Sequence, residues 1–297
     1  MRDRIKIIVN PFSGGGKARR LAESVVGELR RMGCAVELHE TRRTDAQGNF
    51  SVVGCAGGDG TIHEVVNGLP EGDATPLALL PSGTANVLAR ELKLPRDPGR
   101  LARIIREGRE LRWDLGVDRA RGRKFLLFAS AGYDAHVVHL FHATRSKAAR
   151  SAIWNMGLYV VWGVKSLLEY SAPRIAVELD GKPVTAEATW VQVSNVRSYG
   201  GPLAFTPQAR PDDGLFDVMV QKAGRRRDVV RMLWAGFLNY LLPIDVRTPD
   251  VAFHRAREVR LATTDGRSVP LQMDGDPAGH LPARFQILPG ALRILAP

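Results

Sequence analysis

Three glycine-rich turns in the first third of the chain carry the residue types that bind phosphate. They are residues 10–17 (NPFSGGGK), 57–61 (GGDGT) and 81–86 (PSGTAN), and each follows a short apolar run. Glycine lets the backbone approach a ligand closely. A helix that starts behind such a turn adds a partial positive charge and amides that point at an anion. The three turns therefore predict a site for a phosphate-bearing ligand.

These turns differ from the two best-known phosphate loops. In the first turn, Ala18 stands where a Walker A loop needs Ser or Thr, and Arg19 stands where a dinucleotide-binding loop needs its third glycine. In the second turn, Asp59 can hold Mg²⁺ while the glycine amides and the Thr61 hydroxyl bind phosphate. The alternative is a tight turn in which Asp59 only caps the helix behind it.

The elements that must position the turns follow from the hydrophobic pattern. Over residues 1–112, apolar runs at 5–10, 36–38, 51–56 and 77–80 alternate with amphipathic helical segments. This alternation predicts a doubly wound α/β domain with a parallel sheet. The turns then lie at the carboxyl ends of the strands, where ligands bind in such folds.

The pattern changes after residue 112. Strand-like runs, including one over 124–129, dominate residues 113–287, and the Asp-Gly pairs at 180–181 and 265–266 are typical of hairpin turns. We predict a second domain over these residues, an antiparallel β-sandwich with some helical interruptions. The tail 288–297 is strand-like and can join the first domain.

Composition limits the partners without choosing one. The chain has 297 residues, 44% hydrophobic and 25% charged, which is globular composition with room for two domains. Two cysteines provide no disulfide framework and fit a reducing cytosol. Since apolar runs fall short of the about 18 residues that span a bilayer, a cytoplasmic and peripherally membrane-associated protein is expected. The net charge of +11 attracts nucleotides, anionic lipid surfaces and nucleic acids alike.

The motifs together resemble the catalytic domain of diacylglycerol kinases. The GGDGT turn at 57–61 is shared with sphingosine kinases, NAD kinases and phosphofructokinases, and 83–90 (GTANVLAR) is similar to the Gly-Thr-x-Asn segment of diacylglycerol kinases. Residues 10–14, 207–215 and 274–276 (DGD) complete the family pattern in order. The resemblance covers essentially the whole chain and is best to the bacterial soluble lipid kinases. It implies an NAD kinase/phosphofructokinase-like fold, and transfer of phosphate from ATP, with Mg²⁺, to a lipid hydroxyl, most simply that of diacylglycerol.

The resemblance also implies roles for single residues. Asp274 occupies the position of the general base, and a carboxylate beside a lipid hydroxyl can take its proton as the phosphorus–oxygen bond forms. That stretch could equally be only a hairpin turn. Asp213 matches the ligand of a second, structural Mg²⁺, which the backbone carbonyls of Arg210 and Leu215 would complete. The alternative is that residues 212–214 are only a turn before the strand at 216–220. Asp114 matches an aspartate of the metal network near the nucleotide.

The remaining assignments complete the expected site. Val87 and Asp276 depart from the family pattern, because many relatives have Asp and Glu, respectively, at these positions. The loop after Thr41 is also shorter than in relatives. The nucleotide-binding residues would be Asn10, Ser13, Gly14, Lys17, Thr41, Gly57, Gly58, Asp59, Gly60, Thr61, Thr84 and Asp276. The metal ligands would be Asp59, Asp114, Arg210, Asp213 and Leu215, and the catalytic residue would be Asp274 in the cleft between the domains.

Two segments carry membrane-interface chemistry, aromatic and apolar residues beside basic ones. Residues 153–170 follow the basic residues Arg145, Lys147 and Arg150, and residues 229–242 follow three arginines, 225–227. The alternative is two core helices with basic flanks. A further pattern, His136, His139 and His142, is either a zinc site or, more simply, a set of core and solvated histidines.

Two other functions compete with a lipid kinase. One is a kinase of the NAD kinase type that acts on a soluble substrate. The other is a catalytically inert, nucleotide-binding regulator at the membrane, which the departures at Val87 and Asp276 keep open. A lipid alcohol and a membrane surface are the expected partners. A nucleic-acid partner is not expected because only the net charge supports one. The sequence leaves the oligomeric state open, a homodimer included.

Overall fold

The computed structural model describes residues 2–40, 50–83, 85–144, 161–168, 171–200, 203–222, 225–242 and 244–297. Among them no helix has both the length and the apolar character that crossing a membrane requires. The described residues form two compact units. The first runs to Trp113 and includes the final segment Gly290–Pro297, and the second extends from Asp114 to Pro289.

The first unit is an α/β domain. Its strands are β1 (Arg4–Val9), β2 (Ala35–Glu40), β3 (Val52–Gly57) and β4 (Leu77–Pro81), which pair in parallel in the order β2-β1-β3-β4. The end of the last strand of the chain, Ala283–Ala296, continues this parallel sheet beside β4, with Ile294 opposite Leu77. The helices are α1 (Lys17–Arg31), α2 (Asp59–Gly68), α3 (Val87–Glu91) and α4 (Pro98–Glu107).

The apolar pattern explains how this unit packs. Every residue of β3 is buried, as a strand covered on both faces requires. The apolar faces of α1 and α4, with Val25 and Leu101 among them, form one core cluster with residues of the sheet such as Ile7. Asp97 caps α4 by accepting a hydrogen bond from the Arg100 amide at 2.8 Å.

The second unit is an antiparallel sandwich. Its strands are the end of β5 (Arg109–Asp118), then β6 (Arg123–Phe125), β7 (Phe128–Ala131), β8 (Ile175–Leu179), β9 (Lys182–Ala188), β10 (Trp190–Ser194), β11 (Phe216–Gln221), β12 (Val251–Ala256), β13 (Glu258–Thr263), β14 (Pro270–Met273), β15 (Asp276–His280) and the start of β16 (Ala283–Ala296). One sheet has the order β12-β11-β10-β7-β14-β15, and in the other β16, β13, β8 and β9 are neighbours. Apolar side chains of both sheets share one core, in which Phe125 lies 5.6 Å from both Phe216 and Phe285, between ring centroids.

Three helices of this unit pack together in a second core cluster. They are α5 (Tyr133–Thr144), α6, described over residues 161–168, and α7 (Arg226–Leu241). Tyr133 of α5 and Met232 of α7 join Trp190 and Met219 of the six-stranded sheet in this cluster, and Trp162 of α6 packs against it. The predicted α/β domain and antiparallel sandwich are therefore confirmed.

Two local predictions differ from the structure. The single strand expected over 124–129 is divided into β6 and β7, because the amides of Leu126 and Leu127 donate to a distant carboxylate instead of a neighbouring strand. The Asp-Gly pair at 180–181 joins β8 to β9 in a hairpin as expected. The pair at 265–266 does not, since β13 and β14 belong to different sheets. Asp265 instead accepts hydrogen bonds from the Thr263 hydroxyl and the Arg174 amide.

Candidate active site

The first glycine turn is shaped by left-handed backbone. Gly14, Gly15 and Gly16 have φ values of 61°, 66° and 85°, a region that side chains disfavour. A Cβ atom on Gly14 would lie 2.1 Å from the carbonyl oxygen of Ser82, so glycine is also required there by space. The turn delivers the chain directly into α1, where exposed Lys17 is the first residue.

The three glycine turns meet at the carboxyl ends of β1, β3 and β4. The Ser82 amide donates to the Gly57 carbonyl at 3.0 Å, and the Asn10 side chain donates to the Thr61 hydroxyl at 3.4 Å. Gly58 and Gly83 approach so closely that a Cβ on Gly83 would lie 2.4 Å from the Gly58 Cα. Backbone amides, a hydroxyl and the N-terminus of α2 thus share one edge, an arrangement that can bind phosphate oxygens.

A methyl group added at this meeting point is expected to destabilise the first unit. Gly83→Ala places its Cβ against backbone atoms that cannot rotate away, and such overpacking costs about 1–3 kcal/mol. The matched control is Gly99→Ala in α4, where the nearest atom to the new Cβ is 3.5 Å away and helix propensity favours Ala. Urea unfolding of both variants checks the difference. Equal stabilities would contradict the close approach.

Asp59 makes a contact that the sequence did not predict. Its carboxylate accepts hydrogen bonds from the amides of Val87 at 3.0 Å and Leu88 at 3.2 Å, so it caps α3 rather than the helix that it begins. Asn86, with a left-handed φ of 45°, turns the chain into that helix. Val87, where many relatives have Asp, is buried and apolar, but its backbone amide donates to Asp59.

The Asp59 carboxylate also fits the chemistry of a magnesium ligand. The carboxylate is partly exposed and belongs to the GGDGT turn. An ionised carboxylate has about four acceptor positions, which is more than the two amide hydrogen bonds occupy. Within the described ranges, no group of three or more His, Cys, Asp and Glu side chains is placed to hold a metal ion. A magnesium ion at Asp59 would therefore need phosphate or water oxygens to complete its ligands.

Asp274 lies in the second unit, in the tight turn between β14 and β15. Its φ of 51° is left-handed, and its side chain is 9% exposed. One carboxylate oxygen accepts from the Leu126 amide at 2.8 Å, and the other accepts from Leu127 at 2.9 Å and Phe128 at 3.0 Å. The hairpin turn is therefore confirmed, and three amide hydrogen bonds fix the orientation of the carboxylate, while its catalytic role stays a prediction.

A buried polar network next to this turn was not predicted from the sequence. Gln272 accepts from the Gly275 amide at 2.9 Å and donates to the Ser130 hydroxyl at 2.7 Å. Ser130, Gln272 at 3.3 Å and Tyr199 at 2.8 Å all donate to Asp134. Burial raises the pKa of Asp134, and these hydrogen bonds oppose the rise. Two polar residues within otherwise apolar strands could have indicated this network: Ser130 in the strand FASA and Gln272 in the strand PLQM.

Two histidines of the pattern His136, His139 and His142 contact the β14–β15 hairpin. The His142 ring nitrogen lies 3.2 Å from the Gly275 carbonyl and 3.6 Å from the Asp276 carboxylate, and His139 contacts the Leu271 carbonyl at 2.9 Å. Asp276, predicted to contact nucleotide, also lies 4.0 Å from the Arg123 guanidinium. These contacts hold the hairpin against α5.

The residues predicted for a second metal form a different arrangement. Asp213 pairs with the Arg255 guanidinium and accepts from the Leu215 amide at 3.1 Å. Asp114, only 2% exposed, accepts from the Gly214 amide at 2.7 Å and so anchors the same loop. Arg255 thus supplies a counter-charge to Asp213, and the metal site predicted at Arg210, Asp213 and Leu215 stays a prediction. The Arg210 side chain contacts the Asp212 carboxylate at 3.3 Å, a contact that leaves the predicted role of the Arg210 carbonyl untested.

Asp217, in β11 directly after this loop, makes stability depend on pH. Burial raises the pKa of Asp217 to about 6, which Arg255 opposes and Asp213 reinforces. The folded state therefore keeps a proton that the unfolded chain has lost, so stability falls as pH rises from about 4 to about 6. We expect Asp217→Asn to remove about 1 kcal/mol of this fall, allowing for solvent screening. Thermal unfolding across this range is the measurement. Asp212→Asn, an exposed neighbour, should keep the wild-type slope, and identical slopes for all three proteins would contradict the assignment.

Family comparison agrees with the two-part architecture. Residues 4–117 match the family described as the diacylglycerol kinase catalytic domain, and residues 128–296 match the YegS C-terminal NAD kinase beta sandwich-like domain. The chain belongs to the diacylglycerol kinase-like family of kinases. Thr41 and Thr84 lie outside the described residues of this kinase, as do the basic residues Arg145, Lys147 and Arg150.

Relatives of this kinase match it over nearly their whole length. The diacylglycerol kinase of Staphylococcus carnosus (strain TM300) is 28% identical over 313 residues, which cover 100% of this chain and 96% of the relative. The crystal structure of a diacylglycerol kinase from Bacillus anthracis str. Sterne superposes with a TM-score of 0.73 at 20% identity, covering 100% and 97% of the two chains. An NAD kinase from Archaeoglobus fulgidus in complex with ATP has a TM-score of 0.54 at 14% identity, covering 98% and 92%. At these identities the two solved structures establish the fold alone.

Proposed function

We propose that this kinase transfers the γ-phosphate of ATP to the hydroxyl group of a lipid alcohol, with diacylglycerol as the first candidate. The observation that carries the proposal is Asp274, a carboxylate held by three backbone amides at a left-handed turn. The names of the full-length relatives support the substrate class, and the ATP-bound NAD kinase supports the nucleotide.

The proposed roles follow the chemistry of each group. The glycine turns at 10–17, 57–61 and 81–86 bind the phosphates of ATP through backbone amides, and Lys17 adds a positive charge. Asp59 would hold Mg²⁺, which supplies neutralisation of phosphate charge when it is bound. Asp274 accepts the proton of the lipid hydroxyl as the oxygen–phosphorus bond forms and ADP leaves. Its fixed orientation means that little reorganisation is needed during this step.

A kinase for a soluble substrate is the second candidate, because the fold neighbour that binds ATP is an NAD kinase. The test is transfer of labelled γ-phosphate from ATP, with Mg²⁺, to a panel of acceptors. The panel contains diacylglycerol, ceramide and a sphingoid base in mixed micelles, and NAD in solution. A labelled lipid supports the proposal and identifies the acceptor. Labelled NAD alone would replace it with the second candidate, and ATP binding without any product would favour an inert regulator.

A further inference from the structure

The outer surface of two helices in the second unit is unusually apolar. Nine large hydrophobic side chains of the described residues are prominently exposed, and eight of them lie on α6, on α7 or within three residues after α7. Trp234 is 61% exposed and Val161 is 59% exposed. We define the α6–α7 face as the six on the helices themselves: Val161, Val164, Leu168, Val230, Trp234 and Leu241.

Helical spacing places these residues on one side of each helix. Positions 161, 164 and 168 share a face of α6, and positions 230, 234 and 241 share a face of α7. The opposite sides of both helices are already occupied, since Trp162 and Met232 pack in one core cluster. The Arg226 guanidinium donates to the Leu168 carbonyl and so ties α7 to α6. Both helices therefore have a packed apolar side and a second apolar side in solvent.

Basic residues lie beside this face, in the first two turns of α7 and at one position of α6. Within α7 three arginines, at 226, 227 and 231, accompany one acidic residue, the buried Asp228. Asp228 lies 3.0 Å from Arg231 and 3.6 Å from Arg227. Arg231 also lies 3.5 Å from Asp250, so the arginines outnumber the two carboxylates that pair with them. Residues 161–168 of α6 contain Lys165 and no acidic residue. An apolar helix side with a tryptophan and an arginine-rich border is the chemistry of helices that lie in the interface of an anionic membrane.

We propose that the α6–α7 face docks this kinase on an anionic lipid bilayer, with the apolar residues among the acyl chains and the arginines at the headgroups. This inference rests on the proposed function and adds where the enzyme meets its substrate, because a lipid alcohol lies in the bilayer. Docking itself requires neither ATP nor phosphate transfer, and so it can be measured separately.

The test is co-sedimentation without ATP, using vesicles of phosphatidylcholine alone or of phosphatidylcholine and phosphatidylglycerol in equal parts. Wild type should bind the anionic vesicles preferentially. Val230→Ser combined with Trp234→Ser should weaken that binding by about tenfold or more, because two exposed side chains lose their apolar contact with lipid. Arg227→Glu should weaken it too, whereas Lys182→Glu, an equal charge change on exposed β9, should not. Thermal unfolding confirms that the variants fold.

Undiminished binding by the serine variant, or equal binding to both vesicle types, would overturn the proposal. A dimer of wild type that the serine variant dissociates would also overturn it, by assigning the face to a second copy of the chain. Phosphate transfer to micelle-dispersed diacylglycerol is recorded in parallel. Docking without transfer to any lipid rejects the proposed function alone, and transfer in micelles without vesicle docking rejects this inference alone.

Discussion

Replacing Asp274 by Asn is expected to lower the rate constant of phosphate transfer by a factor of about 10²–10⁴, the usual contribution of a positioned general base. Asn keeps the size of the side chain and tolerates the left-handed turn, but it cannot take a proton from the lipid hydroxyl. Its amide group would also face one of the three backbone N–H groups, which should destabilise the fold by about 1–3 kcal/mol.

A loss of base function and a loss of structure are separable here. Asp180 is a matched control, because it has a φ of 48°, it precedes a glycine in a hairpin, and its carboxylate accepts from the amides of Arg257 and Glu258. Both amides donate to one carboxylate oxygen, which Asn keeps, so Asp180→Asn should change stability by no more than about 1 kcal/mol and activity by no more than about twofold. The expected result for Asp274→Asn is a reduced kcat with an unchanged KM for ATP. Comparable activity losses in the two variants would show that Asp274 only holds the hairpin.

Replacing Asp59 by Asn should reduce phosphate transfer by a factor of about 10²–10³, because a Mg²⁺ ion that neutralises phosphate charge would be held less well. The Asn oxygen can still accept from the Val87 or Leu88 amide, so α3 keeps part of its cap. The lost charge should appear in the metal requirement, because a neutral amide is a poorer ligand for Mg²⁺ than a carboxylate. We expect the Mg²⁺ concentration for half-maximal activity to rise at least about tenfold.

The control for this prediction is Asp97→Asn. Asp97 also caps a helix of the first unit, through the Arg100 amide, but it lies outside the glycine turns. Its substitution should lower stability by no more than about 1 kcal/mol and leave the Mg²⁺ requirement as in wild type. An Asp59→Asn enzyme with a normal Mg²⁺ requirement would reduce Asp59 to a structural cap of α3.

The sequence by itself determined the architecture and the location of the glycine turns. Hydrophobic periodicity is a local property, so the change after residue 112 from alternating strands and helices to strands predicted the two folds. Glycines such as Gly14 and Gly83 were also readable, because left-handed backbone and close approach are requirements that few other residues meet. The two Asp-Gly pairs show where local signals fail to determine strand pairing. The pair at 180–181 joins neighbouring strands in a hairpin, whereas the pair at 265–266 lies between strands of different sheets.

Only the tertiary structure decided the partners of the buried and half-buried carboxylates. Asp274 is 146 residues from the Phe128 amide, and Asp59 is 28 residues from the Val87 amide. Asp213 pairs with Arg255, and Asp134 is buried among hydroxyl and amide donors from three other segments. A carboxylate taken out of water needs donors or a counter-charge, and which ones it finds depends on what the fold brings beside it. Spacing along the chain carries no record of that choice.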